Sequence, residues 1–150
     1  MILYICNIVA FTEIMKAPVV IQKHKLRRTA TRERVLEILM ESRQAMSESE
    51  ILQRMGCRCD RTTIYRTLNT FRKENLVHRI IVDDQNKYSY REEGLHDSHH
   101  APHAHFKCNS CGKVSCMKKV PVTKISLPRG YVSKEVSLLI MGTCKSCNHK

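Results

Sequence analysis

With 150 residues and 17.4 kDa, the chain has room for one ordinary domain or two very small lobes, and small lobes bury too little core to dispense with a metal staple or a partner surface. A formal net charge of +12 and a pI near 9.6 favour polyanionic partners, nucleic acid first, over a merely basic soluble protein. No stretch is long and apolar enough for a membrane span, so the eight cysteines are read as metal ligands in a reducing cytoplasm rather than as a secreted disulfide framework.

The opening "MILYICNIVAFTEI" has no basic residue ahead of its apolar run, which argues against a signal peptide. Met15 is followed by Lys16 and polar sequence, so residues 1–15, including Cys6, are expected to be a mis-called start or a disordered extension. The alternative is a buried N-terminal strand. Residues 26–75 then read as three helices. In "TATRERVLEILMES", Thr29 is the N-cap and Val35, Leu36, Leu39 and Met40 form an apolar stripe. In "SESEILQRM", Ser47 and Glu50 stand at capping-box spacing, and Gly56 ends the helix. In "DRTTIYRTLNTFRKEN", Asp60 is the N-cap and Ile64, Leu68 and Phe71 line one face. The other face carries Thr62, Thr63, Arg66, Asn69, Arg72 and Lys73, side chains that reach phosphates and base edges.

Two β-rich runs follow, "LVHRIIV" and "KYSYRE", separated by the turn "DDQN". Three helices and a hairpin are the order of a winged helix, whose third helix enters the major groove of double-stranded DNA while the hairpin lies along the backbone. The expected fold is therefore α+β: a winged-helix DNA-binding domain over residues 16–93, a His-rich linker over 94–105, and a small β-rich lobe over 106–150. In the last of these, "HFKC" and "KVSCM" read as strands, "KKVPVTKISLPRG" as mostly extended, and "YVSKEVSLLIMGTC" as a longer strand. Charge is shared between the halves, 17 basic against 12 acidic residues up to Leu95 and 9 against 2 beyond it.

Cys108-x-x-Cys111 and Cys144-x-x-Cys147 are two knuckles whose four thiolates suit a tetrahedral structural zinc. With four protein ligands no coordination position stays open, so this metal holds structure and does not activate water. A redox dithiol is the competing reading. Cys57 and Cys59, in the loop before the third helix, are read as ordinary loop cysteines, with an oxidant-responsive pair as the alternative.

These pieces, "TATRERVLEIL", "TTIYRTLNTF", the hairpin, "HAHFKCNSCGKV" and the terminal "CKSC", resemble the ferric uptake regulator family of bacterial metal-dependent repressors over about residues 26–147. The resemblance implies that residues 106–150 form a zinc-containing dimerisation domain joined through a hinge over 94–105, with homodimers on palindromic operators and a second, exchangeable metal site at the hinge. It implies that Tyr65 and Arg66 reach bases or phosphates, that Arg27 enters the minor groove and that Arg32 contacts a phosphate. A core position for Tyr65 is the alternative.

The same resemblance matches His103-x-His105 to the family's sensory His-x-His motif and places His78 at a ligand position of its zinc-sensing branch. Cys116 falls where many relatives have a carboxylate, Ala45 where iron sensors have a histidine, and Arg91 where an acidic or thiolate ligand is usual. His96, His99 and His100 are alternates for the missing ligand. Oxygen donors are thus lost and a sulfur gained, which favours zinc over ferrous iron. A floppy His-rich linker and a buried strand cysteine are the bland readings of the same residues. The chain is expected to be a metal-responsive repressor, neither membrane-bound nor an enzyme acting on a small-molecule substrate. The alternatives are an iron or peroxide sensor on the same fold and a zinc hydrolase, the latter lacking any H-E-x-x-H motif.

Overall fold

Thr29, Ser47 and Asp60 each stand one residue before a helix, and each side-chain oxygen accepts a backbone N–H of the first turn. The computed structural model describes residues 16–42, 44–56, 59–91, 103–122, 126–133 and 136–148. The expectations for residues 1–15, Cys57, His96, His99 and His100 lie outside these. Among the described residues the first lobe holds four helices: α1 (Ala17–Lys23), α2 (Ala30–Glu41), α3 (Glu48–Met55) and α4 (Arg61–Lys73). The last three are those expected. Ser47 and Glu50 form the reciprocal capping box, and α3 stops at Gly56 in the left-handed region, φ 68°.

Helix α1 was not expected. It is seven residues long and contains Pro18, which weakens its helical signal, yet proline is tolerated in a first turn, where its missing N–H has no intrahelical partner. Ala17, Val20 and Ile21 supply the buried side.

Strand β1 (Met46–Ser47) adds to a hairpin of β2 (Val77–Val82) and β3 (Gln85–Tyr90), giving the sheet order β1-β3-β2. The expected four-residue turn shortens to Asp83 and Asp84, with φ of 49° and 59°, and Gln85 and Asn86 join the strand. Two left-handed residues match the twist of the flanking strands. Val77, Tyr88 and Tyr90 pack with Leu36, Leu39, Ile51, Ile64, Leu68 and Phe71 in the core. Alternation sends His78, Ile80 and Val82 the other way.

The second lobe is a three-stranded sheet of β4 (His103–Cys108), β5 (Val114–Pro121) and β6 (Leu138–Gly142), in the order β5-β4-β6, closed by the short α5 (Lys145–Asn148). β4 runs antiparallel to β5 and parallel to β6. The strand expected over 131–141 is shorter: Tyr131 and Val132 are 71% and 87% exposed and lie outside the sheet, and among the described residues β6 pairs along β4. No helix stands between β5 and β6 among the described residues.

Ala45, Ile80 and Val82 of the first lobe pack on Val114 of the second, with Cys116 and Leu139 at the margin. The Ala45 N–H donates to the Val114 carbonyl at 2.8 Å, and Lys107 pairs with Asp83. Through this seam β2 presents its outward face to β5.

Candidate metal centres and nucleic-acid face

The knuckle cysteines converge as their spacing requires. Cys108 ends β4, and Gly112, at φ 70°, folds the chain back so that its N–H donates to the Cys108 carbonyl at 2.9 Å. The second knuckle closes with Cys147 N–H to Cys144 carbonyl, also 2.9 Å. All four sulfurs lie within 4.8 Å of one another, Cys111 and Cys144 at 3.8 Å. Zinc–sulfur bonds of about 2.3 Å in a tetrahedron put sulfurs about 3.8 Å apart, so the set fits zinc. Backbone N–H groups, Cys144 first and Cys111 next, bring the Cys108 thiol down to about 6. Cys147 is pushed up to about 12 by hydrogen bonds with the Cys144 and Cys111 sulfurs. Four adjacent thiols do not all ionise unaided; a cation takes the place of the retained proton.

The second cluster draws on both lobes. His78 comes from β2, His103 and His105 from β4, and Cys116 from β5, where it is the register partner of His105. His78 Nε2 lies 3.2 Å from His105 Nε2, 3.3 Å from His103 Nε2 and 3.2 Å from Cys116 Sγ. One ring nitrogen has one in-plane lone pair or proton, so hydrogen bonding does not account for three such neighbours. A shared cation does: Zn–N bonds of about 2.0–2.1 Å separate tetrahedral ligand nitrogens by about 3.3 Å. His78 and His105 are buried, and burial, then the neighbouring His103 charge, lowers His105 to about 4. Its imidazole is therefore held in the neutral form that a metal requires. Neither Ala45 nor Arg91 belongs to the cluster. Ala45 is buried in the lobe seam, and the Arg91 N–H donates to the Leu76 carbonyl. Among the described residues the cluster offers three imidazoles and one thiol, a four-donor set without a carboxylate.

Sequence reasoning missed Ser89, whose Oγ lies 3.5 Å from Cys116 Sγ, and the Asp83–Lys107 pair. The period-2 alternation of β3 was the available signal for Ser89, since it stands opposite His78.

On α4, Thr62, Tyr65 and Arg66 are exposed, Tyr65 by 50%, so it is not a core aromatic. Thr63 is half-buried and its hydroxyl donates to Asp60 Oδ2 at 2.7 Å, making it part of the helix cap. Arg27 is exposed, and its carbonyl accepts from Arg32 Nη1 at 2.7 Å. Cys59 packs against the first-lobe core.

No curated protein matches the chain in sequence. Among solved structures, a zinc uptake regulator complexed with zinc and DNA has 21% identity and a TM-score of 0.66, covering 92% of this chain and 95% of its own. The Vibrio cholerae ferric uptake regulator has 22% identity and a TM-score of 0.56, with 83% and 97% covered. The Helicobacter pylori ferric uptake regulator, described as having three functional metal-binding sites, has 20% identity and a TM-score of 0.55, with 87% and 88% covered. At these identities the likeness carries the fold, a winged helix followed by a small β-rich lobe. The sequence itself matches the family model of the ferric uptake regulators over residues 23–135, and with that match the chain belongs to this family of metal-responsive transcription regulators, which are not enzymes.

Proposed function

We propose that the protein is a zinc-responsive repressor that binds palindromic operators as a homodimer when its cross-lobe site is filled. The observation that carries this reading is the meeting of His78, from the winged-helix lobe, with His103, His105 and Cys116, from the second lobe, around one point. A metal bound there ties β2 to β4 and β5 and so fixes the angle between the lobes. Nitrogen and sulfur donors without a carboxylate favour zinc over ferrous iron or manganese. Cys108, Cys111, Cys144 and Cys147 hold a second, structural zinc. The likeness in fold to a zinc uptake regulator solved with zinc and DNA supports zinc as the metal and DNA as the partner.

On the nucleic-acid side, Thr62, Tyr65 and Arg66 project from α4 toward a major groove, while Thr63 fixes the start of that helix. Arg27 reaches an adjacent minor groove, and Arg32 contacts a phosphate while bracing the Arg27 backbone. Leu138, Ile140 and Met141 are exposed on β6, an edge strand, and a second copy is their proposed cover. The domain limits are proposed as 16–93, 94–105 and 106–150, with function in the cytoplasm.

Metal content per protomer, measured before and after mild chelation alongside fluorescence anisotropy on operator DNA at fixed salt, tests the scheme. One resistant zinc and one labile metal are expected, with specific affinity falling by about 1–3 kcal/mol as the labile metal leaves. Equal operator affinity in both states refutes the switch. Added oxygen on His103 or His105 after iron and peroxide treatment, read by mass spectrometry, would identify a peroxide sensor instead.

A further inference from the structure

Ser89 is the register partner of His78 across the β2–β3 pair, so its hydroxyl and the His78 imidazole leave the wing on the same side. Tyr88 and Tyr90, its neighbours in sequence, turn into the helical core instead. On that shared side, Cys116 Sγ of the second lobe lies 3.2 Å from His78 Nε2 and 3.5 Å from Ser89 Oγ. Here the thiol donates to the serine oxygen. Once the sulfur has surrendered its proton to hold a cation, the hydrogen between this sulfur and oxygen has to come from the serine hydroxyl.

We propose that Ser89 is the positioning residue of the regulatory thiolate: its hydroxyl donates to Cys116 Sγ and aims the sulfur at the point where the three imidazole nitrogens converge. The inference rests on reading the cluster as a metal site. A hydrogen bond to an ionised acceptor is stronger than one between neutral groups, so this contact strengthens when the sulfur becomes a thiolate. Ser89 and Cys116 belong to different lobes, and the bond is therefore a further tie across the hinge, beside the Ala45–Val114 hydrogen bond and the Lys107–Asp83 pair. Outer contacts of this kind commonly alter metal affinity by about 10–100-fold.

Cobalt(II) is a suitable probe, titrated into the full chain with the four-cysteine site left zinc-loaded. The wild type is expected to show tetrahedral ligand-field bands and a sulfur-to-cobalt charge-transfer band. Ser89→Ala should weaken cobalt binding about tenfold and move the charge-transfer band to lower energy, because the sulfur lone pairs lose a hydrogen bond that stabilised them. Ser89→Thr, which keeps the hydroxyl, should restore both. An unchanged band and affinity in Ser89→Ala overturns the role of Ser89 while leaving the metal site standing. Weaker binding without a band shift, unrescued by Ser89→Thr, assigns a merely steric role and also overturns it. If the wild type takes up no second cobalt, or takes it without a sulfur band, the metal-site reading and the proposal fall together.

Discussion

Ser47 Oγ accepts the Glu50 N–H at 3.2 Å, and the Glu50 carboxylate accepts the Ser47 N–H at 2.6 Å. Replacing Ser47 by alanine should cost about 1 kcal/mol, read from the midpoint of urea unfolding at constant slope. Partial burial works against the Glu50 charge, but the bonds from Ser47 and Lys87 outweigh it and hold the carboxyl below its usual range. The unfolded chain therefore binds this proton more readily than the folded one. The stability gained is present above the ordinary glutamate value and lost as pH falls through the depressed one. A Glu50→Gln variant should show a shallower loss of stability on acidification. Single residues were the most legible scale: Thr29, Ser47 and Asp60 announce helix starts because one side-chain oxygen satisfies an otherwise orphaned N–H, a requirement local to four residues. His78 and Cys116, by contrast, are 38 residues apart, and no local rule brings them together. They entered by resemblance, and their convergence is visible only in the packed lobes.

Helices α2 to α4 and the hairpin were legible as elements because their apolar period outlasts a full turn or pairs with a complementary run. Helix α1 escaped notice because seven residues with a proline give no such period. The strand over 131–141 was overextended for the opposite reason. Val132, Val136, Leu138 and Ile140 fall at even spacing, as in a strand, but pairing is decided by the partner, and β4 offers β6 the stretch from Ala104 to Cys108. Between elements, the seam of Ala45, Ile80, Val82 and Val114 docks the wing beside the histidine cluster. Val82 faces away from the helical core, so Val82→Asp should leave the winged helix folded while placing an unpaired carboxylate in the seam. Labile-site zinc affinity, read by competition with a chromophoric chelator, is expected to fall by about 1–3 kcal/mol, with the helical circular dichroism unchanged. Unaltered zinc affinity would show that the seam does not position the ligands.

At the scale of the whole molecule, both lobes carry positive charge, so attraction to phosphate persists whatever the hinge does. On the proposed switch, specific recognition depends on lobe orientation, which the contacts of β5 would help to hold. The strand starts just past the Cys111–Gly112 turn and carries Val114 into the seam and Cys116 to the histidines. Its anchorage at one end is a cysteine knuckle, and its working residue is five positions further on. If both centres bind metal as proposed, their occupancy is expected to be hierarchical, the cross-lobe centre filling only on a lobe already stapled. Forcible extraction of the tightly held zinc with a thiol-reactive mercurial, followed by reduction, should abolish uptake at the labile centre as well. Stripping the labile centre should leave its neighbour full, a one-way dependence that metal analysis of each preparation would reveal.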